Sequence, residues 1–117
     1  MKKIIIINGP NLNILGKREN EIYGNYSLED IKEKSISKSN LLNLECFFCQ
    51  SNNEGELINF IQFTQEKYDG LIINPAAFTH TSIALLDALR SITVPKIEVH
   101  LSNIYSREEY RKKSITS

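Results

Sequence analysis

A chain of 117 residues fits one domain, 1–117, and can bury enough apolar surface to fold without disulfides or a structural metal. Lys plus Arg and Asp plus Glu both number 14, so no net positive field draws in nucleic acid or an anionic membrane surface. Asn8-Gly9-Pro10 ends the apolar run Ile4–Ile7 too early for a signal peptide, and no stretch is long enough to span a membrane, so a cytoplasmic protein is expected.

Apolar runs of strand length alternate with segments of helical period, which predicts an α/β fold around a parallel sheet. Lys3–Asn8 is the first strand, and its unbroken isoleucines predict a central position with burial on both faces. After a polar loop, Ser27-Leu28-Glu29-Asp30 has the form of a capping box, opening a helix that runs to about Ser39. Leu44–Gln50 is the second strand and contains Cys46 and Cys49. Strand residues three apart point to opposite faces, so these thiols are not placed to share a metal or a disulfide, and a reducing compartment follows. Glu54–Lys67 carries Leu57, Phe60, Ile61 and Thr64 at helical spacing, and Asp69-Gly70 turns the chain into a third strand, Leu71–Asn74. Thr81–Ser91 is the third helix, Lys96–His100 after Pro95 the fourth strand, and Ser106–Lys113 a short exposed fourth helix. There are no internal repeats or low-complexity segments.

Doubly wound sheets bind ligands beyond the carboxyl ends of their strands, where the strand order reverses. With a flavodoxin-like order of 2-1-3-4, the reversal lies between strands one and three. Their exits carry Gly9-Pro10-Asn11 and Asn74-Pro75-Ala76-Ala77, and His100 ends the fourth strand beside them.

Glu98 and His100 are two apart on a strand and share a face, so the carboxylate can fix the imidazole's tautomer and orient it as a general acid. The competing reading is a strand-end ion pair without catalytic work; Ser102 and Asn103, directly following at the ligand edge, favour function. The loop Lys17–Gly24 places Arg18 five residues before Tyr23. An unperturbed tyrosine is ionised to only about one part in a thousand at pH 7, about 4 kcal/mol against its use as a base. An arginine within a few ångströms brings a phenol down by roughly one to three pH units, which makes Tyr23 a candidate proton acceptor. Read alone, the segment is a solvated loop with an incidental Arg and Tyr. Asn11 and Asn74 offer uncharged donors able to hold a water or an oxyanion, or they serve only the turns in which they sit. His80 is either a ligand-binding group or an ordinary residue at the opening of a helix.

Four strings carry a resemblance: Ile7-Asn8-Gly9-Pro10-Asn11-Leu12; Arg18-Glu19 with Tyr23-Gly24; Asn74-Pro75-Ala76-Ala77-Phe78-Thr79-His80-Thr81-Ser82; and Ile97-Glu98-Val99-His100-Leu101-Ser102-Asn103. In this order and spacing, with Arg107-Glu108-Glu109 and Arg111 following, the chain resembles the type II 3-dehydroquinate dehydratases (type II dehydroquinases) along almost its whole length.

The resemblance implies a hydro-lyase of the shikimate pathway, in aromatic amino-acid biosynthesis, that converts 3-dehydroquinate to 3-dehydroshikimate through an enolate, with no cofactor, metal or covalent intermediate. It implies that Tyr23 takes the proton beside the ketone with Arg18 lowering its pKa, and that a water near Asn11 stabilises the enolate. His100, oriented by Glu98, would protonate the departing hydroxyl, and Asn74 would hold that hydroxyl. Ser102 with the Leu101 backbone would receive the carboxylate, and His80 and Arg111 would bind ring hydroxyls. Asp87 would reach the substrate of a neighbouring subunit, since the family forms trimers that build dodecamers. Relative to the family the chain is expected to be short at its C-terminus, lacking the fifth strand and last helix and leaving strand four as an open edge.

Two other readings compete. A flavodoxin-like module binding a flavin or phosphate would use backbone donors of Gly9-Pro10-Asn11, but a Ser/Thr-rich cradle and a G-x-G-x-x-G are both missing. A truncated, non-enzymatic remnant would keep the site residues without assembling.

Overall fold

The computed structural model describes residues 1–15 and 26–101. Four parallel strands, β1 (Lys2–Asn8), β2 (Leu44–Gln50), β3 (Gly70–Asn74) and β4 (Lys96–Glu98), form one sheet in the order β2-β1-β3-β4. Three helices connect or flank them: α1 (Leu28–Leu41), α2 (Glu54–Lys67) and α3 (Ile83–Ser91). Short 3₁₀ turns at Leu12–Ile14 and Ala76–His80 follow β1 and β3. The α/β reading and the 2-1-3-4 order hold. Ser106–Lys113, expected to be a fourth helix, and the loop Lys17–Gly24 lie outside the described residues.

Each helix starts where its sequence supplies a cap. Ser27 and Asp30 make the expected reciprocal pair at α1: the Ser27 hydroxyl accepts from the Asp30 N–H at 3.1 Å, and the Asp30 carboxylate accepts from the Ser27 N–H at 3.0 Å. Asn53 caps α2 through the Glu56 N–H, and Ser82 caps α3 through the Leu85 N–H. This last cap corrects the expected start of the third helix at Thr81: with Ser82 held extended as cap, the first helical residue is Ile83. Asn43, with φ 58°, closes the turn between α1 and β2; asparagine tolerates this left-handed conformation better than most side chains.

The core lies on one face of the sheet. Ile5, Ile7, Leu71 and Ile73 point into it and meet Leu57 and Ile61 of α2 and Leu85, Ala88 and Leu89 of α3. Each fully buried Leu or Ile stabilises the fold by roughly 2 kcal/mol relative to an exposed one. On the opposite face Ile4, Ile6 and Ile72 are only half-buried, with α1 packed towards β2. Ile97 of β4, in register with Ile72 on that face, is 60% exposed. The expected two-sided burial of β1 is therefore met on one face only among the described residues, because the helices there cover that face unequally.

The cysteines of β2 are both free thiols, and their positions follow strand alternation. Cys49 packs against the core, with Sγ 3.6 Å from the Ile6 carbonyl oxygen. Burial first, and the nearby Glu56 carboxylate second, push its thiol up to about 12.

Candidate active site

The carboxyl ends of β1, β3 and β4 lie side by side, as the strand order requires. Asn8 and Asn74 are register partners, and the Gly9 N–H donates to the Asn74 carbonyl at 2.7 Å. The approach is so close that a Cβ at Gly9 would sit 2.5 Å from the Pro75 carbonyl oxygen, so the position excludes any side chain. Two loops are thereby fixed against each other at the point where the sheet order reverses.

Asn11 leaves β1 in the left-handed region (φ 68°, ψ −2°), and its side chain makes no bond to the turn it opens. The exposed carboxamide is thus available to a ligand or a water. Its backbone N–H donates to Oδ1 of Asn52 at 2.9 Å. Asn74 is buried at the end of β3, and its Oδ1 accepts from the Ala76 N–H at 3.1 Å, holding Ala76 in the left-handed region at φ 53°. Its turn-forming role uses the oxygen and does not involve the amide N–H groups.

Glu98 and His100 meet as their spacing predicts, with Nε2 of the imidazole 2.7 Å from Oε2 of the carboxylate. One detail differs: β4 stops at Glu98 instead of reaching His100. The Val99 N–H still donates to the Ile73 carbonyl at 2.8 Å, so the chain stays extended long enough to keep both side chains together. The fully buried Thr79 adds a hydroxyl, Oγ1 donating to the same Oε2 at 3.4 Å. With Nε2 committed to the carboxylate, Nδ1 is the ring nitrogen that this bond leaves unused.

The remaining expected residues divide. His80 ends the 3₁₀ turn that also carries Thr79, half-buried beside this cluster. Leu101, partly exposed, follows His100 directly. Asp87 is exposed on α3 and makes no hydrogen bond or ion pair among the described residues. Arg18, Tyr23, Ser102 and Arg111 lie outside the described residues. The structure therefore brings Asn11, Asn74, His80, Glu98, His100 and Leu101 to the same end of the sheet. It keeps Asp87 outside that group. No cluster of three or more His, Cys, Asp or Glu suited to a metal ion occurs among the described residues, and no helix among them is long and apolar enough to cross a membrane.

Sequence reasoning missed three polar side chains at this edge: Thr79, Asn52, and Gln50, whose Nε2 donates to the Gly9 carbonyl at 3.1 Å. A polar run, Gln50-Ser51-Asn52-Asn53, at a strand's carboxyl end was the available signal for the last two. Thr79 gave no such signal, because nothing in its neighbourhood marks a 3₁₀ turn that points a hydroxyl at β4.

An open parallel α/β sheet with paired acid–base side chains and uncharged donors at its switch point defines an enzyme of flavodoxin-like architecture. The comparisons narrow the class. The family described as dehydroquinase class II matches residues 2–117. A 3-dehydroquinate dehydratase of Clostridium botulinum (strain Okra / Type B1) is 56% identical over 117 residues, covering 100% of this chain and 80% of the relative. One from Clostridium acetobutylicum is 52% identical over 115 residues, covering 98% and 80%. The crystal structure of a type II dehydroquinase from Butyrivibrio crossotus superposes with a TM-score of 0.96 at 47% identity, over 98% of this chain and 81% of that one. The chain belongs to the class II dehydroquinase family.

Proposed function

We infer that this protein is a hydro-lyase that removes water from 3-dehydroquinate to give 3-dehydroshikimate. The observation that carries the reading is the family match from residue 2 to residue 117 at more than half identity to named dehydratases. The arrangement at the sheet's carboxyl edge fits the chemistry. Dehydration beside a ketone needs a base to take the α-proton, a donor to the enolate oxygen, and an acid to turn the leaving hydroxyl into water.

Tyr23 takes the α-proton, with Arg18 stabilising the phenolate. A water held by Asn11 donates to the enolate oxygen as negative charge moves onto it. His100, oriented by Glu98, gives its proton to the departing hydroxyl, and the electron pair of the enolate forms the new carbon–carbon double bond. Asn74 holds that hydroxyl; Ser102 and the Leu101 backbone take the carboxylate, and His80 and Arg111 the ring hydroxyls. The reaction needs no redox equivalent, since only a proton and a hydroxide leave.

The protein acts in the cytoplasm as a homo-oligomer in which Asp87 serves the neighbouring site; the exposed Asp87 and Ile83 on α3 support that assembly. Residues 1–117 act as one domain. A flavin- or phosphate-binding role gains no support from the relatives.

The test is direct. Purified protein mixed with 3-dehydroquinate should generate ultraviolet absorbance from the conjugated product, and Tyr23→Phe, which keeps the ring but loses the phenol oxygen, should abolish it. Absence of product with the parent protein overturns the dehydratase reading. Turnover that survives in Tyr23→Phe removes that residue from the base role.

A further inference from the structure

The loop after β1 is anchored on two sides, and only one of these anchors belongs to the site described above. On the β3 side, Gly9 donates to Asn74. On the β2 side, Gln50 is the register partner of Asn8, and its Nε2 donates both to the Gly9 carbonyl at 3.1 Å and to Oδ1 of Asn52 at 3.0 Å. That same Oδ1 accepts from the Asn11 backbone N–H at 2.9 Å. One carbonyl oxygen, with its two lone pairs, thus receives two donors and ties the tip of β2 to Asn11, whose side chain is exposed.

The tie bears on Asn11 because that residue stands in the left-handed region, which an L-residue adopts at a cost. A fixed backbone N–H sets the orientation of the whole residue, since a left-handed backbone and a bound amide leave only side-chain rotation. Asn13 and the rest of the turn contribute no hydrogen bond to the Asn11 side chain, so the turn itself does not orient the carboxamide. Catalytic donors are sensitive to such placement: an error of about 1 Å can cost on the order of a hundredfold in rate.

We propose that Asn52, held by Gln50, is a positioning residue for Asn11, placing the carboxamide that holds the enolate-stabilising water. The proposal rests on the dehydratase reading. Asn52 works only as an acceptor in this arrangement, because both bonds enter its oxygen. An aspartate therefore does the same job, and an isosteric leucine does not.

Steady-state kinetics on Asn52→Leu, Asn52→Asp and Gln50→Leu, with thermal melts on each, test this. Asn52→Leu should lose about ten- to a hundredfold in kcat with KM little changed, since the lost interaction serves the transition state. Asn52→Asp should stay within about threefold of the parent, and Gln50→Leu should fall between them. Ile61→Val, a core change remote from the loop, supplies the control: it lowers stability and should leave kcat alone. If Asn52→Leu does not fold, the ordering of Asn52→Asp above Gln50→Leu carries the test. An Asn11 amide proton that gains solvent exchange by NMR in Asn52→Leu, and not in Asn52→Asp, supports the tie without any assay. The proposal is overturned if Asn52→Leu keeps parental kcat, if the Asp and Leu variants fall alike, or if only KM moves. An inactive parent protein sinks the dehydratase reading and the catalytic half of this proposal together. An active parent with an unaffected Asn52→Leu sinks the positioning alone.

Discussion

Two donors, the His100 imidazole and the Thr79 hydroxyl, converge on one oxygen of Glu98, a side chain only 9% exposed. A carboxylate at that depth is stable because it is paired, and the pairing holds the ring. His100→Ala should lower the rate by about 10²–10⁴-fold, the usual contribution of a placed acid. Glu98→Gln should lose less, about tenfold, because the proposed acid is kept but is no longer oriented. Full activity in His100→Ala would require another acid, and full activity in Glu98→Gln would remove Glu98 from the orienting role. The pair was legible in the sequence because strand alternation survives the loss of ladder geometry past Glu98. Thr79 was not, because its direction depends on a 3₁₀ turn with Ala76 in a conformation that alanine does not signal. The Cys49 thiol makes a separate residue-scale test. With its titration pushed up to about 12 by burial, it is almost wholly protonated at pH 8, and the thiolate is the species that alkylates. Iodoacetamide at pH 8, followed by peptide mass spectrometry, should leave Cys49 unlabelled in the folded protein and label it after unfolding. Rapid labelling under native conditions would mean that β2 opens readily.

At the scale of elements, capping and close approach set the boundaries. The Asp30 carboxyl is held below the usual carboxylate range by the Ser27 backbone N–H first and the Ser27 hydroxyl second, with Lys34 a smaller contributor. A depressed folded-state value means that the folded protein binds the proton less tightly than the unfolded chain. The stabilisation is therefore present above the unfolded value, near 4, and is lost as pH falls through the lower folded one. Asp30→Asn should lower Tm at pH 7, and the gap to the parent should close as melts are taken below about pH 4; a gap independent of pH would exclude the charged cap. Gly9→Ala drives a Cβ into the Pro75 carbonyl, where backbone on both sides leaves no room to yield. It should cost about 1–3 kcal/mol in urea unfolding and reduce activity through the displaced Asn11 loop. The helices of α1 and α2 were readable to within two residues from caps and apolar period. The 3₁₀ turn at Ala76–His80 was not, because it is dictated by the Asn74 side chain and by β1 at Gly9, both outside its own sequence.

At the scale of the whole molecule, strand order followed from the alternation of elements and the isoleucine run, but which surfaces meet other chains is not written in one chain's pattern. On α3 a single large apolar side chain stands exposed among the described residues. Leu85, Ala88 and Leu89 all point into the core, and Ile83 is 71% exposed. Ile83 and Asp87, four apart, share the outward face of α3. An exposed isoleucine beside a carboxylate that no described residue engages supports the proposed subunit contact, in which Asp87 would meet a donor of the adjoining site. Asp87→Ala and Tyr23→Phe should each be nearly inactive alone. Unfolded together in equal amounts and reassembled, they should regain activity, because a site built from two chains pairs an intact Tyr23 with a neighbour's intact Asp87 in about a quarter of cases. A size tag on one variant would show that mixed assemblies form. Mixed assemblies with no recovered activity would mean that each site draws both residues from one chain. Dilution separates the remaining possibility: specific activity should fall at concentrations where the oligomer dissociates, whereas a monomer active at all dilutions would leave Asp87 with no neighbour to serve.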